Sequence, residues 1–316
     1  MPDPVPHDIR QLADERSRAR RARDWATADR LKAELEAAGW KVADAASLYT
    51  LERLPPKVVE VEGDVRYGAS DAVPSRLGEP ATGRETVVLV ADAREGLIPT
   101  AVASLRTHSP DAQVVVVAND PTGPVAAELA ALPAGVEVLR LAARLGTAAA
   151  RNAGVRRAIG AAVVLLDPRV EAAADVAGAL ARALDDPTVA VAGLRGLATD
   201  DLVRFEAAPP DATDVVAVDA LAMAFRREDF LARGPLDEHF TLDVYLDAWW
   251  SLVLRDVPED AEFGVTRPRR AVVAPVPFTL RGDVPPDPDE RLAKRHRYRF
   301  LRDFATRRDL LVEPAQ

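Results

Sequence analysis

The chain has 316 residues, no cysteine, four histidines and a formal net charge of −9 at pH 7. Without cysteine, disulfides, thiolate metal sites and cysteine nucleophiles are excluded, and His7, His108, His239 and His296 are too scattered for a histidine metal cage. No apolar run approaches the roughly 18–20 residues that a membrane span needs, and MPDPVPHDIR does not read as a signal peptide, so a cytoplasmic protein is the expectation.

Residues 8–38 carry two helical periods. Ile9, Leu12 and Ala19 share one side of the first, with arginines opposite. Asp24 is placed to cap the second, which bears Trp25, Ala28, Leu31 and Leu35 and stops at Gly39. A helical hairpin is therefore expected over 1–45. Residues 58–65 alternate as one short strand, and the Gly-, Pro- and Ser-rich chain that follows reads as linker, which makes 46–84 a boundary region.

From Thr86 an α/β rhythm sets in. The apolar runs 87–90, 114–117, 136–141 and 161–166 read as buried strands, with helices expected at 99–108, at 125–132 and after Gly146. Such alternation predicts a mostly parallel sheet sandwiched by helices. A helix is expected at 173–184 and a strand at 189–193. The partly alternating run 215–227 would pair as an antiparallel edge strand. A short helix at 228–232, a strand at 270–276, an Asp- and Pro-rich linker at 283–289 and a basic helix, LAKRHRYRFLRDF, complete the order. The 161–166 strand stops at Asp167-Pro168-Arg169, and ligands of open α/β sheets bind at the carboxyl ends of parallel strands. The basic clusters at 16–23 and 291–308 read first as solvated helix faces.

Five pieces in order carry a resemblance. They are the first strand with Ala103-Ser104-Leu105 in its helix, VVVVAND, LGTAAARNAG, VVLLDPR, and the segment from Ala222-Met223-Ala224-Phe225-Arg226-Arg227 to Gly234-Pro235-Leu236-Asp237-Glu238-His239-Phe240. Together they resemble the family 2 glycosyltransferases, which have the GT-A fold. The resemblance implies a GT-A-like α/β domain over 85–280, followed by a linker and a basic helix over 281–316. It implies a hexosyltransferase that moves a sugar from a nucleotide-sugar donor to a glycan, lipid-linked or polymeric acceptor, with inversion. Donor contacts would fall on Asp92, Asn119, Asp120, Arg151, Asn152, Asp167 and Arg169. The general base would be Asp247, with Asp243 and Glu238 as alternatives.

The sequence departs from that family at the motif that matters most. Family members carry an Asp-x-Asp for ribose and a divalent ion, manganese or magnesium; here Arg169 stands in place of the second carboxylate, and no histidine follows 270–276. A metal is therefore disfavoured, and Asp167 is its one candidate ligand. Two accounts stay open. Either Arg169 supplies the charge a metal would bring, or the site is lost and the domain binds or scaffolds.

Local roles stay open beside each functional one. Asp167 reads equally as a turn cap, Arg169 as half of a salt bridge, and Arg151 and Asn152 as buried polar ties. Trp249 and Trp250 offer a sugar-stacking face, although one of the pair is expected in the core.

The hairpin carries a second, shorter resemblance. Glu15-Arg16, Ala19-Arg20, Asp24-Trp25, Ala28-Asp29, Leu31, Leu35, Ala38-Gly39, Val42 and Asp44 are similar to the carboxyl-terminal helical segment of cysteinyl-tRNA synthetases. That implies either RNA contact through Arg16, Arg18, Arg20, Arg21 and Arg23 or a docking hairpin. Aminoacylation is not implied, because nothing of the synthetase catalytic domain is present. The basic carboxyl-terminal helix offers contact with an anionic surface, which would make the protein peripheral to a membrane.

Overall fold

A computed structural model describes residues 5–45, 48–54, 56–92, 94–120, 122–256, 268–283 and 289–312. The chain divides into two compact units, Met1–Val59 and Glu60–Gln316.

In the first unit, α1 (His7–Arg21) and α2 (Trp25–Ala37) form the expected hairpin, and β1 (Trp40–Ala45) pairs antiparallel with β2 (Leu48–Arg53). Asp24 caps α2 by accepting from the Thr27 amide at 3.1 Å. Ile9, Ala13, Leu35, Trp40 and Val42 make a small core. The two strands escaped the sequence reading. Arg16, counted there among surface arginines, is instead buried. Two short strands follow, β3 (Val58–Val61) and β4 (Asp64–Tyr67). The single strand expected at 58–65 breaks between them because Glu62 and Gly63 both take left-handed backbone angles.

The second unit is the α/β domain. Its elements are β5 (Gly83–Ala91), α3 (Leu97–His108), β6 (Gln113–Ala118), α4 (Gly123–Ala130), β7 (Val136–Arg140), α5 (Thr147–Val155), β8 (Gly160–Leu166), β9 (Val170–Ala172), α6 (Val176–Ala183), β10 (Val189–Gly193), β11 (Gly196–Ala198) and β12 (Glu206–Ala207). After these come β13 (Asp214–Val215), β14 (Ala217–Val218), β15 (Ala222–Arg226), α7 (Arg227–Arg233), α8 (Leu246–Arg255), β16 (Arg270–Val273), β17 (Phe278–Leu280) and α9 (Glu290–Phe304).

The main sheet has the order β13-β16-β10-β15-β8-β5-β6-β7. β5, β6, β7, β8, β10 and β16 run one way, and β13 and β15 run against them. The expected mostly parallel sheet is thus present, but the run 215–227 is not one edge strand. It divides into β13, β14 and β15, and β15 lies inside the sheet between β8 and β10. Its residues 222–225 are buried on both faces, which explains why their alternation was only partial.

Alternate side chains of the strands feed two cores. Val88, Val115, Val117, Val163 and Leu165 meet α5 and α8 on one face, while Val87, Leu89, Val114, Val116 and Val164 meet α3 and α6 on the other. Trp250 is fully buried against Phe225 and Phe230, so it is the core member of the tryptophan pair. The small residues of α5 let it lie close on the sheet. A Cβ at Gly154 would collide with the Val88 side chain. The helix expected at 173–184 begins only at Val176, because β9 precedes it and pairs with β17. The expected linker at 283–289 falls mostly outside the described residues. Among the described residues no helix is long and apolar enough to cross a membrane.

Candidate active site

β6 lies on one side of β5 and β8 on the other. The carboxyl ends of β5 and β8 therefore flank the place where strand order switches, the usual ligand crevice of an open α/β sheet. Asp92 follows β5 and Asp167 follows β8.

Both aspartates are gripped by the arginine two residues on. Arg169 donates its backbone amide (2.8 Å) and Nε (3.0 Å) to Asp167 Oδ1, and Nη2 (2.9 Å) to Oδ2. Arg94 repeats the device, giving its amide to Asp92 Oδ1 at 2.9 Å and Nε to Oδ2 at 2.8 Å. The sequence reading missed Arg94. The signal was available, since Asp-x-Arg occurs at both strand ends.

Beside the exit of β8 lies an acidic bank. β15 runs antiparallel to β8, so its entry, Asp219-Ala220-Leu221, arrives beside the exit of β8, and the Asp167 amide donates to Leu221 O at 2.9 Å. Asp219 accepts from the Leu221 amide at 3.1 Å. Burial pushes its carboxyl up to about 6, with the charge of Asp167 adding to the rise and Arg195 and Arg169 opposing it. Asp219 was not among the sequence candidates, because only the antiparallel insertion of β15 brings it to this edge.

Asp247 lies in the first turn of α8 and accepts from the Ala248 amide at 2.8 Å. Burial pushes its carboxyl up to about 7; the charges of Asp243 and Asp219 raise it further, and Arg151 opposes them. Arg151 projects from α5 to Asp243, at 2.8 Å. The guanidinium of Arg169 in turn feels Asp167 most strongly, then Asp243 and Asp219. Asp167, Arg169, Asp219, Asp243, Asp247 and Arg151 thus form one electrostatically linked cluster.

The remaining sequence candidates are differently placed. Asn119 spends its side chain on the backbone of Leu145, accepting at 2.8 Å and donating at 3.1 Å. Asn152 is buried and ties both backbone groups of Leu236. Glu238 Oε1 accepts from Asn152 Nδ2 at 3.0 Å and from the Ser70 hydroxyl. Asp120 is exposed at the end of β6 with a left-handed backbone, above a small cavity that Arg66 and Arg140 also line. Trp249 gives its indole N–H to Asp303 of α9 at 3.0 Å.

A divalent ion fits this donor set poorly. Both oxygens of Asp167 are taken by Arg169, and among the described residues no three His, Asp or Glu side chains are arranged to hold a metal. A larger cavity, about 870 Å³, lies between β13, β16 and the end of α8. Its arginines are already committed, Arg269 to Asp229 and Arg270 to Asp214.

The fold is shared with known proteins. The crystal structure of GalNAc-T7 with UDP, GalNAc and Mn2+ shares the fold with a TM-score of 0.52 at 18% identity, over 69% of this chain and 48% of that one. The mannosyltransferase PcManGT from Pyrobaculum calidifontis, in complex with GDP-Man and Mn2+, is matched with a TM-score of 0.45 at 20% identity, over 64% of this chain and 58% of that one. Cysteine--tRNA ligase 1 of Burkholderia lata is 52% identical over 40 residues, which are 13% of this chain and 8% of that protein. The chain therefore spans about half of the GalNAc-T7 chain and a small fraction of the ligase. Residues 86–230 match the family model Glycosyl transferase family 2, and with the shared GT-A-like fold this supports a family 2 glycosyltransferase domain in that part of the chain.

Proposed function

We propose that the α/β unit transfers a sugar from a nucleotide-sugar donor to an acceptor hydroxyl, with inversion and without a metal. The observation that carries this reading is the electrostatic linkage, through Asp219 and Asp243, of a guanidinium fixed at Arg169 with Asp247, whose carboxyl burial pushes up to about 7. A base poised near the working pH is the efficient one.

In the proposed step the acceptor O–H gives its proton to Asp247, and the acceptor oxygen bonds to the anomeric carbon. The bond from that carbon to the diphosphate oxygen breaks, and the nucleoside diphosphate leaves with the electron pair. Arg169 faces the charge that develops there, since a guanidinium retains N–H donors beyond the two it spends on one carboxylate. Asp243 and Arg151 set the field around the base.

The same fork favours a second reading. Because Asp167 is fully occupied by Arg169, a domain that has lost transfer and only binds or scaffolds would look alike. Thermal unfolding with uridine, guanosine and thymidine diphosphates, with and without manganese, separates the two. A ligand specific for the folded state raises its melting temperature. A rise that is indifferent to manganese is expected; no rise at millimolar nucleotide would sink the transferase, and a rise that needs manganese would refute the role given to Arg169.

Two partner surfaces belong to the proposal. On α9, Arg291, Lys294, Arg295 and Arg297 are exposed while His296, Phe300 and Phe304 are buried, a cationic face suited to an anionic lipid or polymer acceptor. Vesicle flotation with and without anionic lipid tests it. On the hairpin, Arg18, Arg21 and Arg23 are exposed, and Arg20 lies over the exposed Trp25 ring at 5.5 Å. Unchanged RNA retention after charge reversal of Arg18, Arg21 and Arg23 would remove RNA as a partner.

A further inference from the structure

The segment that joins β15–α7 to α8 carries Asp243 and delivers Asp247, and it is held from behind by α9. His296 is the centre of that hold. It is 1% exposed, and its ring lies edge-on to Phe240 at 5.3 Å. Its Nδ1 is 3.2 Å from Val244 O, and its Nε2 is 3.2 Å from the Thr241 amide and 3.4 Å from the Thr241 hydroxyl.

These partners dictate the tautomer. A carbonyl oxygen only accepts, so Nδ1 must carry a hydrogen. A backbone amide only donates, so Nε2 must offer its lone pair. Only the neutral, Nδ1-protonated imidazole satisfies both. A second proton on Nε2 would point at the Thr241 N–H and break that bond, leaving only the more distant Thr241 hydroxyl to accept it.

The turn between those two contacts bears on the cluster. Asp243 lies inside it and pairs with Arg151. The Leu246 amide donates to Asp243 O at 2.9 Å, and Tyr245, with φ 65, turns the chain into α8 one residue before Leu246-Asp247. On its other side the same loop plugs the amino end of α5. The amides of Thr147 and Ala148 donate to the carbonyls of Thr241 (3.1 Å) and Phe240 (3.2 Å), and a Cβ at Gly146 would stand 2.9 Å from Thr241 Cα.

We propose that His296 is a positioning residue, whose neutral imidazole clasps the 241–244 turn and so fixes Asp243 and Asp247, and whose protonation releases that turn. The inference rests on the reading of Asp243 and Asp247 as the base side of a transferase. The charges around the ring are Arg295 and Arg299 of its own helix and Asp237 of the loop, and Asp237 is already engaged by Arg299 and by His239. Burial, with Arg295 adding to it, holds His296 below the usual histidine range, while hydrogen bonding to the backbone of Val244 and of His239 and the charge of Asp237 oppose that fall. The clasp is therefore closed at neutral pH and opens on the acid side.

The test uses the full chain and needs no donor. Nitrogen-15 NMR of the imidazole reports which nitrogen is protonated, and amide exchange across residues 236–249, corrected for intrinsic rates, reports the turn. The expected results are an Nδ1–H imidazole in the wild type at pH 8 and protection of the turn that falls about tenfold or more as His296 titrates. H296Q, which can keep an acceptor toward Thr241, and H296N, which can keep a donor toward Val244, should each lose part of the protection and all of its pH dependence. Circular dichroism confirms that the variants fold. An Nε2–H tautomer, or protection indifferent to pH and to both variants, would overturn the clasp. If the clasp behaves as expected but no nucleotide diphosphate shifts the melting temperature, the transferase reading fails and the clasp stands. If transfer is measurable, H296Q should lower kcat with little change in the donor KM.

Discussion

Asp167 and Asp247 are the same residue type in one electrostatically linked cluster, and their surroundings differ. Asp167 leaves β8 directly into a guanidinium fork, where three donors from Arg169 neutralise it. Asp247 sits in the first turn of α8 with one amide donor, and burial, to which the charges of Asp243 and Asp219 add, pushes its carboxyl up to about 7. A carboxylate committed to a guanidinium, linked to a second carboxyl that burial keeps protonated, is an arrangement by which one site can separate a charge-binding task from a proton-transfer task.

The most direct way to break this comparison is Asp247→Asn. The amide preserves shape but takes no proton, so kcat should fall by about 10²–10⁴-fold, the usual contribution of a general base. Sugar transfer from a radiolabelled donor, once a competent donor is found, measures it. In the wild type kcat/KM should rise with pH through about 7 as Asp247 ionises. A variant that keeps full activity would move the base to Asp243.

Arg169 tests the other bank. Arg169→Ala strips Asp167 of its fork in a crevice that also holds Asp219 and Asp243, and nucleoside diphosphate affinity should fall about 10–100-fold, as when a charge-assisted bidentate contact is lost. Arg169→Lys should not rescue it, because an ammonium cannot reproduce the fork. Arg169→Asp restores the Asp-x-Asp pattern, and any nucleotide binding it recovers should require manganese. Calorimetric titration with each diphosphate distinguishes these outcomes; unchanged affinity in Arg169→Ala would remove the guanidinium from the donor site.

What could be read from sequence follows the same divide. The neutralised bank lies on elements that are local in the chain. An apolar run ending at Asp167-Pro168-Arg169 announces a buried strand and its exit; the sequence left the partner of Arg169 open, although Asp and Arg two residues apart need no tertiary contact to meet. The acidic bank depends on long-range pairing. Asp219 reaches the crevice only because β15 inserts antiparallel between β8 and β10, and a strand buried on both faces shows little of the alternation that would have placed it. The tryptophan pair separates for a similar reason. Period alone puts one indole in the core, but only the docking of α9 turns Trp249 toward Asp303.

The smallest expected effect is on stability, and it sharpens the comparison because its sign is fixed by burial rather than by catalysis. Asp219 and Asp247 have folded-state proton affinities raised to about 6 and about 7, above the value near 4 expected of an unfolded aspartate. Between those limits the folded chain binds more protons than the unfolded one, so stability falls as pH rises. The stabilisation is whole below about pH 4 and is lost as pH rises through 6 and 7. Asp219→Asn, lacking that titration, should therefore gain on the wild type by about 1 kcal/mol at pH 8, a figure discounted for the water at the rim of the crevice, and the gain should vanish toward pH 4. Asp247→Asn should behave alike with its midpoint shifted upward. Asp167→Asn should do the reverse and lose stability at pH 8, because it leaves Arg169 without its partner. Urea unfolding from pH 4 to pH 8 reads all three, and a pH-independent difference for Asp219→Asn would mean that its carboxyl is solvated rather than held in the crevice. The two acidic-bank variants should not be additive, since each aspartate is part of the field that the other feels.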